Sequence, residues 1–130
     1  MGLDNGFIVQ GIKKGNIPYF VRPIDIYSNG EIEIAYYRKC WGIRNAILRV
    51  LYVPLSGGGN YEVEAEDILA ILQELYKFLD REYWEDNADS IWTFEEAIDY
   101  TLIQQIINLK WLYSYMIEHP KVKCYFYDSF

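Results

Sequence analysis

The sequence predicts an α+β fold: a small antiparallel sheet with an Asn-Gly hairpin, packed against about three helices. One of these is a long C-terminal helix, and a final strand returns to the sheet. Three observations carry that expectation. The apolar pattern changes from a period of two to one of about 3.6 near Trp41. Asn29-Gly30 stands between two alternating segments, and Thr93 with Glu96 opens an apolar stretch that runs to Pro120. A chain of 130 residues fits one domain, residues 1–130. Such a domain removes roughly two-thirds of its unfolded surface from water, enough for a core without staples.

The elements follow in order. Residues 7–12 read as a first strand, bounded by Gly6 and the turn at Lys13-Lys14-Gly15-Asn16. Pro18 and Pro23 confine residues 19–21 to a short or edge strand. Residues 24–27 and 31–34 alternate on either side of Asn29-Gly30, a pair that tolerates the positive φ of a tight hairpin. Ile24, Ile26, Ile32 and Ile34 then share the core face. A helix is expected from Trp41 to Tyr52, with Pro54 as its stop and a flexible loop at residues 56–60. Acidic residues from Glu64 to Asp67 suit the start of a second helix, which runs to about Asp80. Residues 82–92 read as an acidic, aromatic loop or frayed turn. The Thr93/Glu96 capping box then starts a helix from Phe94 to His119, and residues 122–127 form the last strand.

Charge is unevenly spread. Residues 1–60 carry seven Lys/Arg against four Asp/Glu, and residues 61–130 carry five against fifteen, within a net charge of -7. General nucleic-acid binding is not expected of such a chain, because phosphate contacts need a dominant basic face. No apolar run reaches the ~18 residues of a membrane span, so no membrane association is expected. The first residues lack a secretory pattern, and Gly6 stands where a myristoylation motif wants Ser or Thr. Cytoplasmic is the default location, with Cys40 and Cys124 reduced.

Chemistry is sparse. The one histidine, His119, falls at a helix C-terminus, where it aids the dipole. The carboxylate clusters at Glu62, Glu64, Glu66, Asp67 and at Glu85, Asp86, Asp89 lack the ligand order of a calcium loop and read as a solvated face. Ser56 to Asn60 lacks the Lys of a phosphate loop. No catalytic residue, metal or cofactor is implied. Two binding surfaces remain. Tyr37, Arg38, Lys39, Trp41, Arg44 and Asn45 place rings beside cations at a strand-to-helix junction, which suits a small anionic, nucleotide-like ligand. Trp84, Glu85, Asp86, Asp89 and Trp92 suit a basic protein surface, with the two Trp as anchors.

Residues 1–6, the block from Glu33 through Tyr36-Tyr37-Arg38-Lys39-Cys40-Trp41-Gly42-Ile43-Arg44-Asn45 to Ile47, and the stretch Tyr83-Trp84-Glu85-Asp86-Asn87-Ala88-Asp89-Ser90-Ile91-Trp92 resemble small proteins of tailed bacteriophages and prophages. No activity is assigned to that group. The resemblance implies a non-enzymatic accessory binding protein in the host cytoplasm. Its role would be counter-defence, blocking a host protein or sequestering a nucleotide-like signal. The alternatives are a small enzyme acting on a nucleotide or peptide, and a virion or assembly component that oligomerises through the 94–119 helix.

Overall fold

The computed structural model describes residues 3–56 and 58–129 as an α+β fold; Met1, Gly2 and Gly57 of the expected loop lie outside the described residues. Alternating side chains give strand β1 (Asp4–Gln10), with Asn5, Phe7 and Val9 buried, and strand β2 (Ile32–Arg38), with Ile32, Ile34 and Tyr37 buried. The first arm of the expected hairpin is not a strand. Pro23–Asp25 coil into a 3-10 turn, and the ladder shrinks to one bridge between Ile26 and Ile32. Arg22 explains this, since its backbone N–H and guanidinium both donate to Asp25 and hold the turn closed. The chain still reverses at Asn29-Gly30, but positive φ falls on Gly30 alone, at 88°. Gly30 N–H donates to Tyr27 C=O and Tyr27 N–H to Glu31 C=O, a three-residue loop. Ile24 is therefore 79% exposed, while Ile32 and Ile34 keep the core face.

Two strands complete an antiparallel sheet of order β2-β1-β4-β3. The last, β4 (Lys123–Ser129), buries Cys124, Phe126 and Asp128. Strand β3 (Gly59–Val63) occupies part of the segment expected to be a loop. Its glycines hide it from local propensity, and β4 supplies the ladder. Residues 19–21, expected as a short strand, form none.

The helices cover the buried face. Helix α1 (Trp41–Val50) and α2 (Ala65–Lys77) occupy their expected places. The expected acidic connection contains a helix, α3 (Arg81–Asn87), because Asp80 caps it by accepting from Tyr83 N–H at 2.9 Å. The expected long helix is broken. Thr93 and Glu96 cap α4 (Phe94–Tyr100) as foreseen, but Thr101 (φ -144°, ψ -54°) separates it from α5 (Leu102–Glu118). Five α-helices rather than three thus pack with the sheet among the described residues.

Strand β2 lies at the sheet edge, and side chains close that edge. Asn108 Nδ2 donates to Ile34 C=O at 3.0 Å, and Gln105 Oε1 accepts from Tyr36 N–H at 3.0 Å. Trp92 Nε1 donates to Arg38 C=O at 3.1 Å. The backbone groups of alternate residues 34, 36 and 38 that point away from β1 are thereby bonded by α5 and by the α3–α4 connection, which blunts the edge as a template for another chain.

Helix α1 ends before Pro54 acts. Val53 N–H bonds Leu48 C=O and Tyr52 N–H bonds Arg49 C=O, which is the Schellman pattern. The left-handed position is held by Tyr52 (φ 58°), 96% exposed, where glycine is favoured. Tyr52→Gly is expected to raise stability by about 1 kcal/mol in urea unfolding. Beneath the same helix, Arg44 and Asp128 form a buried ion pair, with Arg44 Nη2 2.8 Å from Asp128 Oδ2. Gly58 N–H donates to the same carboxylate oxygen at 3.2 Å. Asp128→Asn is expected to lower stability by about 3 kcal/mol in the same measurement, because the buried guanidinium loses the charge of its Asp128 partner.

Candidate functional site

Helix α1 starts at Trp41 with no side-chain cap. Backbone replaces it. Trp41 N–H donates to Asp89 C=O at 3.2 Å and Gly42 N–H to Ala88 C=O at 2.7 Å. The C-terminal end of α3 therefore abuts the N-terminal end of α1, and opposite dipole ends meet. Gly42 permits the approach, since a Cβ there would lie 1.9 Å from Asn87 C=O. Lys39 (φ 53°) and Asp89 (φ 46°) flank the antiparallel bridge between Cys40 and Ser90, one left-handed non-glycine residue on each side of it. Trp84 Nε1 donates to Trp92 C=O at 3.3 Å, which ties α3 to the connection that Trp92 fastens on β2.

These contacts border two adjoining open spaces that share Trp84 and Trp92. The inner chamber holds about 260 Å³. Tyr36, Tyr37, Trp84, Trp92 and Ile43 give it mostly ring and aliphatic walls, while Arg38, Glu96 and Thr101 stand among its polar residues. Cys40 also lines it. Burial pushes the Cys40 thiol up to about 11, so the thiol is uncharged at neutral pH. The outer groove holds about 400 Å³ and adds Glu85, Asp89, Phe94 and Glu95. Arg81 pairs with Glu95 and lies 4.9 Å from the Phe94 ring centroid, so it offsets one of these three carboxylates.

The structure thus brings together members of both expected surfaces and separates others. Tyr37 and Arg38 line the chamber; Trp84, Glu85, Asp89 and Trp92 line the groove; Asp86 is exposed on α3 but lines neither. Trp84 is 4% exposed and packs on Phe78, a wall and not a projecting anchor. Lys39 holds the left-handed corner with its backbone, at φ 53°. Arg44 is turned into the core toward Asp128, with its guanidinium 5.3 Å from the Trp41 ring centroid and Nη1 donating to Asn45 Oδ1 at 2.9 Å. The N–H groups that would hold a phosphate at α1 are taken by Ala88 and Asp89. His119 is stacked on Tyr115 at 4.0 Å, and no helix among the described residues is long and apolar enough to cross a membrane.

A larger cleft of about 650 Å³ lies along β2, between the 22–25 turn and α5. Sequence reasoning passed over it, because alternation on a strand does not reveal which neighbours converge there. Much of its amide chemistry is committed to the strand edge: Gln105 and Asn108 bond β2, and Gln104 bonds Asn108. Its notable member is Glu33, which accepts from the Tyr127 hydroxyl at 2.6 Å. Burial pushes its carboxyl above the ordinary value, against the opposing pull of the Tyr127 and Tyr27 hydroxyls, and Asp25 adds to the rise. Between the ordinary glutamate value of about 4.3 and that raised value, the folded state holds a proton that the unfolded state releases. Glu33 therefore withdraws stability as pH rises through the window. Glu33→Gln is expected to be more stable than the parent at pH 7, with the difference vanishing toward pH 4, when urea midpoints are measured across that range. Compared with protein-family models, with curated proteins and with solved structures, the chain finds no match.

Proposed function

We propose that this chain is a non-enzymatic accessory protein of a phage that acts against a host defence or regulatory component by occluding a basic segment of a host protein. The observation that carries the reading is the outer groove. Glu85 and Asp89, four residues apart, stand beside the Trp84 and Trp92 rings in one concavity. Carboxylates around aromatic faces attract Lys and Arg both by charge and through the ring quadrupole. The phage context comes from the resemblance of residues 1–6, 33–47 and 83–92. Support for a role in binding comes from the candidate reactive groups: Cys40 is held as a thiol, and His119 stands at the opposite end of α5 from the chamber. The nucleotide reading has less support, since Arg44 is turned into a core ion pair and the Trp41 and Gly42 N–H groups are bonded to Asp89 and Ala88.

The test is capture from a bacterial lysate by the parent and by the isosteric double variant Glu85→Gln/Asp89→Asn. Asn retains tolerance of the left-handed conformation at position 89. The parent is expected to hold a discrete protein that is released as salt rises, and the double variant to hold it at least about tenfold less well. Equal retention by both proteins would overturn the assignment to this groove. A rise in melting temperature with millimolar nucleotides would favour the sequestration reading instead.

A further inference from the structure

We propose that the open edge of the sheet is a self-association site: β3 pairs antiparallel with β3 of a second copy of this chain, about a two-fold axis at Tyr61. The inference goes beyond the groove and needs nothing of the groove's partner. It starts from the direction of backbone groups, which alternates along a strand. Ile34, Tyr36 and Arg38 turn theirs away from β1, so Ala35 and Tyr37 bond Phe7 and Asn5. Gly6 and Ile8 therefore bond Tyr127 and Tyr125, while Asp128, Phe126 and Cys124 bond Gly59, Tyr61 and Val63. The N–H and C=O groups of Asn60 and Glu62 are left pointing out of the sheet.

The two edges of the sheet thus differ. Side chains bond the outward groups of β2, whereas β3 is closed only at its ends: Gly58 N–H donates to Asp128 and Glu64 N–H to Asp67. Among the described residues no group bonds the outward backbone of Asn60 or Glu62, and both residues are exposed. Such an edge is a template for another strand.

The strand's own sequence selects the occupant. With Tyr61 on the axis, Asn60 of each copy meets Glu62 of the other, and every open backbone group is bonded. Asn60 and Glu62 lie on the outer face of the sheet, so an amide stands opposite a carboxylate there, twice. Gly59, Tyr61 and Val63 lie on the inner face, in register with buried Asp128, Phe126 and Cys124. There Tyr61 meets Tyr61, and glycine leaves room beside valine. An axis at Glu62 would oppose two glutamates, and one at Asn60 would leave the Glu62 groups unbonded. The net charge of -7 on each copy opposes association, so moderate salt is expected to strengthen it.

Sedimentation velocity from micromolar to millimolar protein measures the association, and amide exchange followed by NMR locates it. The parent is expected to dimerise as concentration rises, with the Asn60 and Glu62 N–H groups gaining protection. Those of Tyr61 and Val63, bonded to β4, are protected throughout. Glu62→Pro removes one outward donor at an edge position where proline is tolerated, and is expected to abolish the dimer. Far-UV circular dichroism confirms that this variant is folded. Asn60→Lys sets a cation opposite each Glu62 and is expected to tighten the dimer about fivefold. Tyr19→Lys makes the same change of charge at a side chain 90% exposed outside the sheet, and is expected to tighten it less. A monomer at millimolar concentration would overturn the proposal, as would a dimer that Glu62→Pro and Asn60→Lys leave unchanged. The Glu85/Asp89 variant leaves β3 as it is, so failure of the groove reading and failure of this one are read separately.

Discussion

Arg44 and Asp128 meet where α1 crosses the end of β4, and much of the architecture is arranged around that buried pair. A guanidinium and a carboxylate both withdrawn from water are costly unless their bonds are satisfied, and here they largely are. Asp128 accepts from Arg44 Nε and Nη2 and from Gly58 N–H, while Asn45 takes Arg44 Nη1. One side-chain pair thereby fixes the azimuth of α1 and the final strand's position. It also draws the segment leading into β3 toward the sheet. The same pair removes Arg44 from the surface, so one cation of the aromatic-basic cluster read in the sequence is turned into the core.

The other end of α1 is held differently. There the fold joins helix ends head to tail, uses a glycine to let them touch, and accepts two left-handed side-chain-bearing residues to turn the corner. The Trp92 and Trp84 indole bonds help fasten the resulting corner to β2. The outcome is a corner with two adjoining concavities, one lined largely by rings and the other carrying Glu85, Asp89 and Glu95.

Local signals made part of this legible. The change of period located α1; the Thr93/Glu96 box located the start of α4; alternation located β1, β2 and β4, with ends displaced by a few residues. What escaped was set partly by partners distant in sequence and partly by short side-chain-to-backbone bonds. Strand β3 looks like a glycine loop until β4 pairs with it, and α3 looks like a charged connection until Asp80 is seen capping it. The chain turns at Asn29-Gly30 but keeps a single bridge, Ile26 to Ile32, while Asp25 accepts from Arg22 three residues before it and coils the first arm. At the candidate site, the acidic residues and the two Trp were legible as a cluster because they are consecutive. Tyr37 as a chamber wall and Glu33 beneath Tyr127 were not, since sheet register places them and no short motif encodes it.

Strand β1 has neighbours on both sides, β2 and β4, and its Asp4 is paired with Arg38 on one and Ser129 on the other. The kinetic consequence is considerable. The centre of the sheet cannot be completed until nearly the whole described chain is present. Until then β1 has one flank unpaired, and the apolar faces of Phe7 and Val9 await Phe126 and Cys124. Folding governed by such distant contacts is slow, and it leaves a transient species with sticky strand edges. A chain built this way spends its most vulnerable interval before its final strand arrives, so its yield in a cell depends as much on the pace of synthesis and chaperone traffic as on the stability of the finished fold.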